Sequence, residues 1–121
     1  MEIRTARPDD LVAVMGVLDG ASLVVDASEV RERIEDETVL VAAENGRVLG
    51  ACVLDGREID AIAFRRMRRG QGIGTGLIET ATESVDGELR AEFHRRVRPF
   101  YTSLEFTIEP ADEPDRFRGV R

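Results

Sequence analysis

The chain has 121 residues, 42% hydrophobic and 34% charged, which suits one globular domain with one core rather than a disordered chain. The formal net charge is −7 and all 17 basic residues are arginine, a balance that speaks against general nucleic-acid binding because a phosphate backbone would be repelled. A single cysteine, Cys52, excludes an internal disulfide, and with a single histidine, His94, it leaves no set for a cysteine- or histidine-based metal site.

Taken in order, Met1-Glu2-Ile3-Arg4 enters a strand-like alternation that runs over residues 2–7, with no signal-peptide pattern before it. No apolar run reaches the length of a membrane span, so the expected compartment is the cytoplasm, with no membrane partner. The acidic, lysine-free composition is also compatible with a salt-adapted, halophilic source. Pro8 suits the first turn of a helix whose face is Leu11, Val14, Met15 and Leu18, with Asp9 and Asp10 near its positive end and Gly20 as its stop. Residues 21–25 carry no assignable pattern. Asp26 or Ser28 then caps a short helix that turns Val30 and Ile34 inward.

The clearest β region follows. Val39 to Ala43 is a strand, Glu44-Asn45-Gly46-Arg47 a turn built on Asn-Gly, and Val48 to Leu54 the return strand. Asp55-Gly56 makes a second tight turn, and Glu58 to Phe64 is the third strand of the meander. Strict alternation would place Glu58, Asp60, Ile62 and Phe64 on one face of it. An arginine- and glycine-rich turn, Arg68 to Gly72, opens a helix over 72–85 marked by Ile73, Leu77, Ile78, Ala81 and Val85 and broken at Asp86-Gly87. Leu89 to Phe93 is a further strand. Val97, Phe100, Tyr101 and Leu104 recur at i, i+3, i+4 and i+7 and mark a last helix, with Pro99 in its first turn. The tail from Phe106 has room for one or two short strands. No repeat or linker divides the chain, so residues 1–121 form one domain. Its mixed sheet, an α+β or α/β arrangement, is an antiparallel meander followed by a βαβ crossover, with helices on both faces.

The glycine turn carries the chemistry. A strand that runs through glycines into a helix aims bare backbone N–H groups and the positive end of the helix dipole at one point, which suits a phosphate or pyrophosphate. A P-loop requires a lysine that this chain lacks. A dinucleotide fingerprint requires Gly-x-Gly-x-x-Gly after an N-terminal strand, whereas Gly70, Gly72, Gly74 and Gly76 alternate after a meander. A third pattern, Arg/Gln-x-x-Gly-x-Gly/Ala, is met at every defined position by Arg69-Gly70-Gln71-Gly72-Ile73-Gly74. The basic cluster Arg65, Arg66, Arg68 and Arg69 reads either as a nucleic-acid patch or, better with this net charge, as a solvated turn that balances a bound phosphate.

On these residues the chain resembles the Gcn5-related N-acetyltransferase (GNAT) superfamily over nearly its whole length. Val39 to Leu54 resembles that family's second hairpin and Ile62 to Thr75 its acetyl-CoA motif. Val97-Arg98-Pro99-Phe100-Tyr101-Thr102-Ser103-Leu104-Glu105-Phe106 resembles its C-terminal signature. The resemblance implies a GNAT-like acyl-CoA N-acyltransferase fold and an acetyl-CoA-dependent N-acetyltransferase that moves acetyl directly to a primary amine, with no acyl-Cys52 intermediate and no metal. Backbone groups of Ile62, Ala63 and Phe64 would pair with the pantetheine arm. The N–H groups of Arg69, Gly70, Gln71, Gly72, Ile73, Gly74 and Thr75 would cradle the pyrophosphate, Gly72 and Gly74 allowing close approach. Tyr101 would protonate the departing thiolate. Glu58 is the first choice of general base, with Asp60 or a water chain as alternatives.

The sequence departs from the family pattern at His94, where asparagine is usual, at Val97, where a small residue is usual, and at Glu105, where glycine is usual. Glu105 falls where a helix C-terminus favours a left-handed residue. His94 also reads as a helix cap and Cys52 as a small core residue. The alternative function is a catalytically weak or inactive GNAT-like domain that binds acyl-CoA as a sensor or partner module. The acceptor, an amine-bearing small molecule or protein, is not legible, and the short tail is compatible with a homodimer.

Overall fold

The fold is that of a computed structural model, which describes residues 1–21, 25–65 and 72–121. Seven strands form one mixed sheet in the order β1-β2-β3-β4-β5-β7-β6. In the chain they are β1 Glu2–Thr5, β2 Val39–Glu44, β3 Arg47–Asp55, β4 Glu58–Phe64, β5 Arg90–His94, β6 Thr107–Pro110 and β7 Arg116–Val120. The helices are α1 Leu11–Gly20, α2 Ala27–Glu35, α3 Ile73–Ser84 and α4 Arg98–Ser103. The meander and the parallel crossover between β4 and β5 follow the expected order. The tail yields both short strands, and the later one, β7, inserts between β5 and β6.

Local chemistry accounts for the element ends. Pro8 starts a 3₁₀ turn, Pro8–Asp10, that leads into α1. The Asp10 carboxylate accepts the Arg7 backbone N–H at 2.7 Å and binds the Arg4 guanidinium through two hydrogen bonds of 2.7 and 3.2 Å. This cap ties β1 to α1, and the guanidinium holds the Asp10 carboxyl below its usual range. Asp26 caps α2, accepting the Ser28 N–H at 2.8 Å. Asn45 and Gly46 both take positive φ between the paired Glu44 and Arg47, as a two-residue primed turn requires. The second turn is Gly56-Arg57 between paired Asp55 and Glu58, one residue later than the dipeptide Asp55-Gly56, because the positive φ that glycine supplies is needed at its first central position.

Two apolar layers flank the sheet. Val14, Val17 and Leu18 of α1 and Val30 and Ile34 of α2 pack on Val39, Val41, Ala51 and Val53. On the opposite face Ile73, Leu77, Ile78 and Ala81 of α3 and Tyr101 of α4 pack on Leu40, Cys52, Leu54 and Phe93. Strands β2 and β3 are buried on both faces, which is why they read as nearly continuous apolar runs. A fully buried side chain such as Leu77 contributes about 1.5–3 kcal/mol to holding α3 on the sheet.

Two features of β4 shape the site. Its register with β3 shifts between the pairs Val53↔Ala61 and Leu54↔Ile59, so Asp60 is the extra residue of a β-bulge. Its parallel pairing with β5 extends only over Glu58↔Arg90 and Ile59↔Ala91, after which the two strands diverge.

Candidate active site

The divergence of β4 and β5 opens a cleft of about 420 Å³. One wall is β4 from Ile59 to Ile62, with Phe64. The other is Glu92, Phe93 and His94 of β5 with Arg116 of β7, and α4 closes it with Phe100 and Tyr101. Along β4, Ile62, Ala63 and Phe64 pair with β3 on one side, while no β5 partner takes their other edge. That edge keeps backbone donors and acceptors open to an extended ligand.

The start of α3 lies beside this edge. Gly72 is its cap at φ +72°, the left-handed conformation that favours glycine, and its carbonyl accepts the Gly76 N–H at 2.8 Å. The N–H groups of Ile73, Gly74 and Thr75 precede that first helical bond and so have no acceptor within the helix. Gly74 is buried against aromatic rings: a Cβ there would come within 2.6 Å of Phe100 and 2.9 Å of Phe64. The role of Gly74 thus includes a packing reason that the pattern did not suggest. Of the other residues expected to form a pyrophosphate cradle, Arg69, Gly70 and Gln71 lie outside the described residues, as do Arg66 and Arg68.

Tyr101 is buried, at 4% exposure, among three phenylalanine rings. It stacks on Phe93 at 4.1 Å between centroids with 13° between planes, and meets Phe100 and Phe106 edge-on at 5.1 and 5.0 Å. Its hydroxyl has no hydrogen-bond partner among the described residues. Burial raises the phenol pKa above its usual value, and the neighbouring Cys52 thiol adds to the rise, so the hydroxyl stays protonated across the neutral range. Burial also pushes the Cys52 thiol up to about 12. Cys52 is therefore a protonated core residue, unsuited to acting as a nucleophile.

The carboxylates separate. The shared face expected for Glu58, Asp60, Ile62 and Phe64 does not form. Ile59 and Ile62 pack on the α3 layer while Ala61 and Ala63 pack on the α1 layer, because the bulge at Asp60 slips the alternation by one residue. Asp60 lines the cleft with Tyr101. Glu58 instead lines a separate hollow with Glu88, Arg90, Glu109 and Arg118. The hydrogen bond that Arg33 of α2 donates to Asp55 raises the Arg33 pKa, and the charge of Asp60 adds to the rise.

The departures from the family signature have local explanations. His94 caps the 3₁₀ turn Arg95–Val97, its Nδ1 accepting the Arg96 N–H at 3.0 Å. Val97 does not join the inward face of the last helix. It belongs to the 3₁₀ turn, whose period differs from that of α4, and stands 44% exposed at the cleft. Glu105 has φ +65°, the left-handed residue that follows α4. Phe93 and Arg116 were missing from the sequence-derived site. The alternation of Leu89, Ala91 and Phe93 marks Phe93 as inward-facing, but nothing in that pattern places it against Tyr101. Arg116 reaches the cleft only through the register of β7.

Among the described residues no cluster suited to a metal ion occurs, and no helix is long and apolar enough to cross a membrane.

Comparison with known proteins agrees with this geometry. Residues 35–108, more than half of the chain, match the acetyltransferase (GNAT) domain family. No curated protein matches the sequence. Solved structures share the fold at low identity. A GNAT-family acetyltransferase from Bacillus cereus ATCC 10987 superimposes with a TM-score of 0.85 at 12% identity, over 99% of this chain and 95% of that one. Ard1 from Thermoplasma volcanium gives 0.82 at 18% identity, over 99% and 95%. Rv2747 from Mycobacterium tuberculosis, solved in complex with CoA, gives 0.77 at 20% identity, over 92% and 74%. The mixed sheet split between β4 and β5, the glycine-started helix beside the split and the sequence match together make this chain a member of the GNAT acetyltransferase family.

Proposed function

We propose that the protein transfers an acetyl group from acetyl-CoA directly to a primary amine, with Tyr101 as the proton donor to the leaving sulfur. The observation that carries this reading is the open edge of β4 facing Tyr101 across the cleft. Residues 62–64 have the backbone groups to hold an amide-bearing arm as an added strand would, and Gly72 to Thr75 have the helix-start N–H groups to hold its pyrophosphate. Arg69, Gly70 and Gln71 complete that cradle in the proposal. When bound, acetyl-CoA supplies an activated carbonyl and a thiolate leaving group. Tyr101, at the cleft, holds a proton on Oη and would deliver it to that sulfur. The attacking amine must be neutral, so a group at the cleft takes its proton. Asp60 lines the cleft and is the first choice, while Glu58, which lines a separate hollow, would act through water.

The alternative, an acyl-CoA-binding domain with little or no turnover, is favoured by one observation: Glu58 does not line the cleft. A screen of acetyl-CoA against a panel of amines, read by thiol release, tests both. Tyr101→Phe is expected to lower kcat about 10²-fold or more with acetyl-CoA affinity by calorimetry unchanged. Full turnover in that variant would remove Tyr101 as the acid. Tight binding of acetyl-CoA by the unaltered protein with no turnover on any amine would support the binding-module reading. Asp60→Asn and Glu58→Gln assign the base, because the variant that removes it lowers kcat with acetyl-CoA affinity by calorimetry unchanged.

A further inference from the structure

The ring of Tyr101 is the inner end of a stack that reaches the surface. Phe93 of β5 lies parallel to it, at 4.1 Å and 13°. Phe117 of β7, the register partner of Phe93, lies beyond at 6.5 Å and 26°. The Arg98 guanidinium covers the outer ring, 4.5 Å from the Phe117 centroid. Phe100 and Phe106 close the remaining sides of Tyr101 edge-on. A phenol without a hydrogen bond can rotate about two side-chain torsions, and the Tyr101 hydroxyl has no hydrogen-bond partner among the described residues. Among the described residues, what fixes its direction is therefore packing of the ring. Edge-on neighbours limit how far the ring slides, whereas a parallel neighbour at van der Waals separation limits its tilt.

We infer that Phe93, backed by Phe117 under Arg98, is the positioning residue that aims the Tyr101 hydroxyl into the cleft. Phe93 carries no proton and acts only through Tyr101, so this rests on the reading of Tyr101 as proton donor. Phe93 and Phe117 sit on β5 and β7, on the far side of the split from β4.

Tyr101 is the single tyrosine and the chain has no tryptophan, so tyrosine absorbance and near-ultraviolet dichroism report on this one ring. The test is a cycle of Phe93→Leu and Tyr101→Phe, singly and together, assayed by thiol release from acetyl-CoA with the best amine of the panel and, where no amine turns over, with water as acceptor. Phe93→Leu is expected to lower kcat at least tenfold with the KM for acetyl-CoA unchanged, to weaken the tyrosine dichroism, and to bring the tyrosine titration seen by absorbance down toward its ordinary range. Added to Tyr101→Phe it is expected to cost less than a further twofold. An equal loss of kcat in both backgrounds overturns the inference, as does Phe93→Leu with unchanged kcat. Unchanged kcat in Tyr101→Phe alone overturns the acid reading and the inference with it. Should Phe93→Leu not fold, Phe117→Leu stands in: a smaller kcat loss confined to the Tyr101 background supports the stack, and no loss overturns it.

Discussion

Glu105 shows what a single residue costs where the backbone demands glycine. It follows α4 at φ +65°, with its N–H on the Thr102 carbonyl at 3.2 Å and the Phe106 N–H on the Tyr101 carbonyl at 3.3 Å. Those bonds close the helix behind Tyr101 and hold a side-chain-bearing residue in the left-handed region, at a cost of about 1 kcal/mol. Glu105→Gly is expected to raise stability by roughly 0.5–1 kcal/mol in urea unfolding, with kcat unchanged. A loss of stability would mean that the Glu105 side chain makes a compensating contact. This strain was legible in the sequence, because the helix face ends at Leu104 and the chain must turn before Phe106. The direction of Tyr101 was legible too, as one member of an apolar helical face. Its stacking on Phe93 was not, since it depends on where β5 lies beside α4.

Among the elements, α3 and β4 show both the reach and the limit of pattern. The start of α3 at Ile73 follows from the glycine turn and the helical spacing of Ile73, Leu77, Ile78 and Ala81. Gly72 and Gly74 look alike in the motif but answer different demands. Gly72 has open space around its Cβ direction and needs positive φ, whereas Gly74 has ordinary φ and no space. Gly74→Ala is expected to cost about 1–3 kcal/mol of stability through overpacking. With the proposed function it is also expected to weaken acetyl-CoA binding, because Phe64 and Phe100, which must move, line the cleft. Calorimetry and thermal unfolding of the same sample check both effects, and an unchanged melting temperature would show that the rings give way freely. On β4, period-two reasoning placed Glu58 beside Ile62, and the bulge at Asp60 reversed that. A bulge inserts one residue without any composition signal of its own, so alternation on either side of it looks continuous.

At the scale of the whole molecule, Cys52 is fully buried in the apolar layer on the α3 side, which also holds Tyr101. Its folded thiol is raised from an ordinary 9.0 to about 12. The folded state therefore keeps a proton that the unfolded chain releases. Stability from this group is complete below pH 9 and is lost as pH rises from 9 toward 12, at about 1.4 kcal/mol per pH unit. Tyr101 adds to the loss in the same direction above its ordinary 10.0. The chain has no lysine to titrate in this window, so the slope between pH 9 and 10 belongs mainly to Cys52. Urea unfolding at stepped pH is expected to show that slope, and Cys52→Ala to flatten it at the cost of a small core cavity. A slope unchanged by Cys52→Ala would contradict a protonated buried thiol.

The sequence by itself determined the elements and their order, the glycine-started helix and the family. Each of these is written in local periodicity, turn chemistry or a contiguous motif. Only the tertiary structure decided that β4 and β5 part after two residue pairs, that β7 inserts between β5 and β6, that Asp60 rather than Glu58 lines the cleft, and that Phe93 lies flat against Tyr101. Those features depend on register and on contacts between segments far apart in the chain. A one-residue slip changes which side chains meet while leaving the pattern along each strand the same.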